Sequence, residues 1–205
     1  MIKIKEKDEI KLFVFDMGEV VIYNTRVLNK ISDFLNVSKE EFMTMALKSK
    51  IDLLQTGGIK TQEFWNNFSN ISGIKIEEDL LGKFFKPRKN KQVYELINFL
   101  KNKYRVVCGT NTIDSHYYYL QRADYYSVFD KVYASNLMGY SKPQEEFFNY
   151  ILKEEKVKPE EVVFIDDSIE NINSAGKIGL KTILFNDYKG LEEKFIEFEL
   201  LKSTI

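Results

Sequence analysis

Several residue types are scarce in this chain, and each scarcity excludes a class of protein. Its one cysteine, Cys108, cannot form an internal disulfide, which fits a reducing cytoplasm. Its one histidine, His116, excludes a histidine-based triad and a multi-histidine metal site, and we expect it on a helix surface. No run approaches the ~18 apolar residues that cross a bilayer, and the N-terminal MIKIKEKDEIK lacks the apolar core of a signal peptide. The sequence therefore predicts a soluble, cytoplasmic protein without a membrane partner.

A surplus of charge of either sign is also absent. The chain has 30 basic and 31 acidic residues among 205, which gives a net charge of −1. Because nucleic acids attract basic surfaces, we expect no nucleic-acid partner. The hydrophobic fraction of 44% and the charged fraction of 30% are ordinary for a globular protein. The length is sufficient for one core with a small accessory domain.

Short apolar runs rich in β-branched residues stop at polar or small residues, and they indicate the strands. Runs this uniformly apolar are typical of parallel strands that are buried on both faces. Helix-periodic segments such as Gln92–Leu100 and Glu145–Leu152 lie between the later runs. This alternation predicts an α/β fold with a doubly wound, Rossmann-like parallel sheet. The predicted strands are Ile10–Phe15, Arg105–Cys108, Lys131–Ala134, Val162–Ile165 and Thr182–Phe185.

The stretch from Asn24 to Phe85 breaks this alternation, because it contains amphipathic helical patterns and no strand-like run. Ser38 followed by Glu41 has the pattern of a capping box, which begins a helix. A last amphipathic helix is expected at Leu191–Leu201. The helices predicted before the second strand are Val27–Leu35, Lys39–Leu47, Thr61–Phe68 and Glu77–Phe85.

These patterns divide the chain into two parts. We expect an α/β core domain made of residues 1–20 and 86–205, with an α-helical cap domain inserted at residues 21–85. No internal repeat or low-complexity segment suggests a further division.

Polar residues that suit phosphate chemistry follow four of the strand-like runs. They are Asp16, Thr110, the segment Ser141–Lys142 and the pair Asp166–Asp167. Because parallel strands deliver their carboxyl ends to one edge of the sheet, we expect these side chains around one crevice. A carboxylate that attacks phosphorus, a divalent cation and fixed donors to phosphate oxygens together suit phosphoryl transfer.

Four segments resemble the four motifs of the haloacid dehalogenase superfamily and occur in the order of that family. They are FVFDMGEV (Phe13–Val20), VVCGTNT (Val106–Thr112), GYSKP (Gly139–Pro143) and VFIDDSIENI (Val163–Ile172). The resemblance covers essentially the whole core, and the helical insertion stands where the family carries a small α-helical cap. It implies a magnesium-dependent phosphatase that forms an aspartyl phosphate.

The resemblance also implies a role for each matching residue. Asp16 resembles the nucleophile, and Thr110 resembles the hydroxyl residue that binds the phosphoryl group, assisted by the amide of Asn111. Lys142 resembles the lysine that balances the charge of nucleophile and phosphate.

The implied Mg²⁺ ligands are the carboxylates of Asp16 and Asp167 and the backbone carbonyl of Gly18. Asp166 is expected to contact the ion through a water molecule or to support the direct ligands. Asn171 matches the later acid-or-amide position of the fourth motif. An oxygen-only set of this kind suits Mg²⁺, which uses few carboxylates and keeps several waters.

One position departs from the usual phosphatase pattern. Gly18 stands where the family has a second aspartate that acts as general acid and base. A subgroup of sugar-phosphate phosphatases that includes α-glucose-1-phosphatases has glycine there, and this chain resembles that subgroup. The resemblance extends to Arg26, where many members also have arginine. Glu19 replaces the usual asparagine of the subgroup, and it is a candidate for the missing proton transfer and for substrate contact. General acid–base help accounts for roughly 10²–10⁴-fold in rate, so its loss slows a phosphatase more than it abolishes it.

Structural interpretations of the same residues stay open. Asp166–Asp167 could cap a helix, and Lys142–Pro143 could begin one. Arg26 could reach the substrate phosphate or form an exposed salt bridge.

The preferred function is hydrolysis of a small phosphate monoester, and we expect a sugar phosphate as the substrate. The alternatives are a 2-haloacid dehalogenase-type hydrolase, which uses the same aspartate without magnesium, and a catalytically weak phosphate-binding or regulatory protein. The sequence leaves a monomer and a homodimer equally open.

Overall fold

The computed structural model describes residues 10–198. The predicted C-terminal helix Leu191–Leu201 is therefore described only in part. Most of the N-terminal segment that was weighed as a signal peptide lies outside the described residues.

Within residues 10–198 the chain forms seven strands and eleven α-helices. The strands are β1 (Leu12–Phe15), β2 (Ile22–Tyr23), β3 (Arg88–Lys89), β4 (Arg105–Thr110), β5 (Lys131–Ala134), β6 (Val162–Asp166) and β7 (Lys181–Leu184). The helices are α1 (Leu28–Leu35), α2 (Lys39–Lys48), α3 (Ile51–Gln55), α4 (Thr61–Ser72), α5 (Leu80–Phe84), α6 (Lys91–Leu100), α7 (Asp114–Arg122), α8 (Ser135–Met138), α9 (Glu145–Glu155), α10 (Ile169–Lys177) and α11 (Tyr188–Glu197).

Five strands form a parallel sheet in the order β5-β4-β1-β6-β7. The register pairs Phe15 at the end of β1 with Cys108 on one side and Ile165 on the other. The residues that follow these three positions therefore reach the same edge of the sheet. This arrangement confirms the predicted parallel sheet and its order of strands and helices.

Helices cover both faces of the sheet. Along β1, Phe13 and Phe15 belong to one apolar cluster, whereas Leu12 and Val14 belong to another. The first cluster includes residues of α6 and α11, and the second includes residues of α9 and α10. All four side chains of β1 are buried, which explains why the strand is a continuous apolar run in the sequence. The doubly wound architecture predicted from the sequence is thus confirmed.

Helices α1 to α5 form a helical insert between β2 and β3. These two short strands pair in an antiparallel ribbon, with Ile22 opposite Lys89 and Tyr23 opposite Arg88. The aromatic centre of the insert is fully buried and continuous with the apolar cluster under β1. The expected capping box at Ser38 and Glu41 is present at the start of α2. The proposed domain boundaries near residues 21 and 85 stay a prediction.

Several element boundaries differ from the sequence prediction. The helix predicted at Glu77–Phe85 begins only at Leu80, because Asp79 keeps an extended backbone and accepts a hydrogen bond from the indole of Trp65. Helices α3, α7, α8 and α10 and the ribbon of β2 and β3 were not predicted. The two ribbon strands have two residues each, which is too short for a hydrophobic period.

Across residues 10–198, none of the helices combines the length and the apolar character that are needed to span a bilayer. The cytoplasmic location stays a prediction from the sequence.

Candidate active site

Asp16 lies directly after the central strand β1. Its backbone N–H donates to the carbonyl of Ile165 at 2.9 Å, which continues the sheet by one residue. Only 8% of the residue is exposed. Burial raises the pKa of Asp16 from 3.8 to about 6, with the ammonium of Lys142 lowering it and the carboxylate of Asp166 adding to the rise.

The ammonium of Lys142 joins two carboxylates. Its Nζ atom lies 2.7 Å from Oδ1 of Asp16 and 2.7 Å from Oδ2 of Asp166. The rings of Phe147 and Phe164 have their centroids 5.9 and 5.5 Å from Nζ, and the Lys142 side chain is almost fully buried. Burial by itself lowers the pKa of Lys142, but the two carboxylates outweigh burial and raise it. Lys142 therefore remains an ammonium ion next to Asp16.

Asp166 supports the site from behind. It is fully buried, and its Oδ1 atom accepts hydrogen bonds from the backbone N–H of Ser168 at 2.8 Å and from the amide of Asn171 at 2.9 Å. Its Oδ2 atom accepts from Lys142. Because both oxygens are engaged, Asp166 is suited to orient Lys142 more than to act alone as a ligand.

Asp167 is the more accessible carboxylate of the fourth motif. Its Oδ2 atom accepts a hydrogen bond from Nη2 of Arg26 at 2.8 Å, and its side chain is 24% exposed. Burial raises the pKa of Asp167, Asp166 adds to the rise, and the guanidinium of Arg26 opposes it. Arg26, which lies just before α1, thus forms an ion pair with a carboxylate of the core, and its side chain is 78% exposed.

The second and third motifs are joined by reciprocal hydrogen bonds. The side-chain amide of Asn111 donates to the carbonyl of Lys142 at 2.8 Å, and its oxygen accepts from the N–H of Lys142 at 2.8 Å. Thr110 is buried at the end of β4, and its hydroxyl has a long contact of 3.4 Å with the carbonyl of Asn111. Asn111 therefore positions Lys142 in this structure, and contact of Asn111 and Thr110 with a substrate stays a prediction.

The loop after Asp16 brings Gly18, Glu19 and Thr25 together. Glu19 has a left-handed backbone with φ of 59°. Its Oε1 atom accepts from the backbone N–H of Thr25 at 3.0 Å and from the Thr25 hydroxyl at 2.7 Å. A Cβ atom at Gly18 would lie 3.3 Å from that hydroxyl oxygen. No pattern in the sequence points to Thr25, because its proximity depends on the turn that follows Gly18.

The oxygen donors and the charge of the three aspartates indicate which kind of metal ion they could bind. Asp16, Asp166 and Asp167 each offer a carboxylate oxygen, and these oxygens lie within 4.8 Å of one another. Three carboxylates this close repel one another, and Lys142 and Arg26 supply only two positive charges. A set made only of oxygens with a residual negative charge suits a hard divalent cation such as Mg²⁺. The residues present therefore fit a magnesium ion.

Two groups of hydrogen bonds connect the helical insert to the core beside this site. Ser135 accepts from the N–H of Thr112 at 2.9 Å and donates to the carbonyl of Gln55 at 2.7 Å. The hydroxyl of Thr61 donates to the carboxylate of Asp114 at the start of α7. The sequence contained no signal for these contacts, because each pairs residues that are far apart in the chain.

His116 lies on helix α7 but is only partly exposed, so the prediction of a position on the helix surface is met only in part. Its ring stacks on Phe85 at a centroid distance of 3.9 Å, and its Nε2 atom lies 3.0 Å from the carbonyl of Leu81. Burial lowers the pKa of His116. The residue therefore belongs to the packing between α7 and the end of the insert.

Comparison with known proteins identifies the family. The family model for haloacid dehalogenase-like hydrolases matches residues 14–185 of this chain. A sesquiterpene phosphatase of Aspergillus oryzae is 26% identical over 184 residues, which cover 86% of this chain and 90% of that protein. The structure of a family enzyme from Bacteroides thetaiotaomicron in complex with magnesium and inorganic phosphate has 25% identity and a TM-score of 0.70, and the match covers 89% of this chain and 98% of that one.

Two further relatives match over shorter stretches. A drimenol cyclase of Aspergillus calidoustus is 34% identical over 95 residues, which cover 46% of this chain but 16% of that protein. A D-ribitol-5-phosphate phosphatase of Bacteroides thetaiotaomicron is 38% identical over 53 residues, which cover 26% of each protein. The family model spans the first motif segment from Val14 onward, the other three segments and the helical insert between the first two. This chain belongs to the haloacid dehalogenase-like hydrolases.

Proposed function

We propose that this protein is a magnesium-dependent phosphatase that hydrolyses small phosphate monoesters through an aspartyl phosphate on Asp16. The observation that carries the proposal is the buried arrangement of Asp16, Lys142 and Asp166, with both Lys142 contacts at 2.7 Å. A carboxylate at a strand end that is held beside a permanent cation is suited to attack an anionic phosphate, because the cation offsets the repulsion.

The roles proposed for the remaining site residues rest on the motif resemblance together with their positions in the structure. Asp16, Asp167 and the carbonyl of Gly18 would hold Mg²⁺, and Asp166 would support them from behind. The bound ion would neutralise charge on the phosphate. Thr110 and Arg26 are proposed to contact the phosphate oxygens. For Arg26 this requires exchange of its bond to Asp167, which its exposed side chain allows.

The preferred substrate is a sugar phosphate. The resemblance of the DMGE segment (Asp16–Glu19) to sugar-phosphate phosphatases and the partial match to a ribitol-5-phosphate phosphatase support this choice. A phosphate ester with an apolar body is the second candidate. It is favoured by the relative that is a sesquiterpene phosphatase and by two exposed leucines, Leu53 at 40% and Leu137 at 58%, on adjoining helices of the insert and the core.

A phosphate-release assay tests the proposal. The wild-type protein is incubated with Mg²⁺ and a panel that contains p-nitrophenyl phosphate, ribitol 5-phosphate, glucose 1-phosphate and farnesyl phosphate. We expect phosphate release that stops with EDTA and with Asp16→Asn. The matched control is Asp187→Asn, which changes another aspartate that follows a strand and only caps α11.

The outcomes separate this proposal from its two rivals. No phosphate release by a folded protein that binds Mg²⁺ would support the phosphate-binding or regulatory alternative. Chloride release from a 2-haloacid without metal would support the dehalogenase alternative. Activity that survives Asp16→Asn would remove Asp16 as the nucleophile.

A further inference from the structure

The hydroxyl of Thr25 occupies the space beside the nucleophile loop. A Cβ atom added to Gly18, two residues after Asp16, would lie 3.3 Å from Oγ1 of Thr25 and 3.8 Å from its Cβ. The Thr25 side chain, which comes from the segment just before α1, therefore borders the space that a side chain at residue 18 would occupy.

Thr25 is held in one orientation. Its backbone N–H and its hydroxyl both donate to Oε1 of Glu19, at 3.0 Å and 2.7 Å. Because the only hydroxyl proton is directed at Glu19, the lone pairs of Oγ1 remain available to accept a hydrogen bond. Both residues are partly exposed, so water can reach them.

The next residue along the chain shows that this segment borders the site. Arg26 bonds to the carboxylate of Asp167 at 2.8 Å, and a carboxylate oxygen of Asp167 lies within 4.8 Å of one from Asp16. Thr25 is therefore flanked by Gly18 of the nucleophile loop and by a residue that contacts the acidic cluster.

We infer that Thr25, oriented by Glu19, is a catalytic residue that accepts a hydrogen bond from the water that hydrolyses the aspartyl phosphate. This inference rests on the proposed function. The water oxygen forms a bond to phosphorus while the bond from phosphorus to the Asp16 oxygen breaks, and that electron pair returns to the carboxylate. One water proton passes to an oxygen of the released phosphate, so Thr25 keeps its hydroxyl proton and takes no proton from the water.

The test measures the two half-reactions separately in Thr25→Val, which keeps the shape and the backbone N–H of the residue but removes the hydroxyl. Rapid mixing with p-nitrophenyl phosphate and Mg²⁺ gives the rate of phosphorylation from the nitrophenol burst. Acid quenching gives the fraction of enzyme that carries phosphate. We expect dephosphorylation to slow about tenfold or more, with the phosphorylation rate within about threefold, so that phosphoenzyme accumulates. Thr25→Ser keeps a hydroxyl at this position, so we expect it to keep the wild-type ratio of the phosphorylation and dephosphorylation rates.

Thr182→Val on β7 is the matched control, because β7 is an edge strand separated from β1 by β6 and Thr182 lies near its start. Equal slowing of both steps in Thr25→Val, or no accumulation of phosphoenzyme, would overturn the inference. A wild-type protein that never forms a phosphoenzyme would instead remove the proposed function itself, so the two failures are distinguishable.

Discussion

At the scale of single residues, the site is organised by one buried cation between carboxylates. Lys142 contacts Asp16 and Asp166, and the side chains of Lys142 and Asp166 are almost fully buried. Breaking a buried ion pair by removing one partner is costly, because the other charge then remains buried without compensation. The same lysine that is proposed to assist the reaction therefore also permits two aspartates to lie side by side.

Replacing Lys142 by Met should lower the free energy of unfolding by about 3 kcal/mol at neutral pH without Mg²⁺, because two buried carboxylates then repel each other. Urea unfolding followed by circular dichroism measures this loss. Adding Asp166→Asn to Lys142→Met should recover part of it, since one of the two charges is removed.

Lys131→Met is the matched control for this prediction. The pair of Lys131 with Glu154 is about half exposed on both sides, so its removal should cost less than about 1 kcal/mol. A Lys142→Met protein as stable as the control would contradict the structural role of Lys142.

The sequence was sufficient to predict which core residues lie together. It was not sufficient to predict which residues at the start of the insert contact them. Asp16, Lys142 and Asp166 could be placed at one edge because parallel strands end there. The ion pair from Arg26 to Asp167 and the bonds from Thr25 to Glu19 depend on a tight turn after Gly18, in which Glu19 takes a left-handed backbone. Residue type and spacing do not specify such a turn, because glutamate seldom adopts this conformation.

At the scale of elements, the loop after α3 packs tightly against helix α8 and so joins the helical insert to the core. Gly57 has a φ of 75°, and a Cβ atom there would lie 2.1 Å from the carbonyl oxygen of Asn136. The loop can approach α8 this closely only because residue 57 has no side chain.

Gly57→Ala should therefore destabilise the protein by more than Gly73→Ala, which is a matched control with a φ of 72° and no atom within 4 Å of the added Cβ. Both substitutions share the backbone strain of about 1 kcal/mol, and Gly57→Ala adds a collision that costs about 1–3 kcal/mol. Urea unfolding gives the difference, and the KM for p-nitrophenyl phosphate reports on the fit of the insert. Equal losses of stability in the two variants would show that the loop does not need its contact with α8.

Element prediction succeeded where the apolar spacing was clear and failed where few apolar side chains are buried, as in α7, where Leu120 is the one buried residue. Helices α2, α4 and α6 each have ten residues or more and were identified from their apolar spacing. Helix α3 has five residues, which is fewer than two turns, so its pattern could not be distinguished from that of a loop.

At the scale of the whole molecule, the acidic cluster links folding to pH and to metal. The folded protein holds a proton on Asp16 up to about pH 6, whereas an unfolded chain releases it near 3.8. The folded form therefore binds more protons between these values, and without metal its stability should fall as the pH rises through this window. Mg²⁺ requires the ionised carboxylate, so its stabilising effect should increase over the same range.

Thermal unfolding with and without Mg²⁺, from about pH 5 to about pH 8, measures this linkage. At a concentration near 100 times the dissociation constant, Mg²⁺ should add about 2.7 kcal/mol at the upper end of the range and much less at the lower end. Asp16→Asn should make the stabilisation by Mg²⁺ less dependent on pH. A stabilisation by Mg²⁺ that is independent of pH would place the metal away from Asp16.

The central claim is that Asp16 accepts the phosphoryl group, and the direct measurement is mass spectrometry of acid-quenched protein. The wild-type protein is mixed with p-nitrophenyl phosphate and Mg²⁺, quenched in acid during turnover and digested. We predict one added phosphoryl group on the peptide that contains Asp16, removed by mild base, and none on that peptide in Asp16→Asn. Phosphate release during turnover with no phosphorylated Asp16 peptide, or with the phosphoryl group on another residue, would contradict the account.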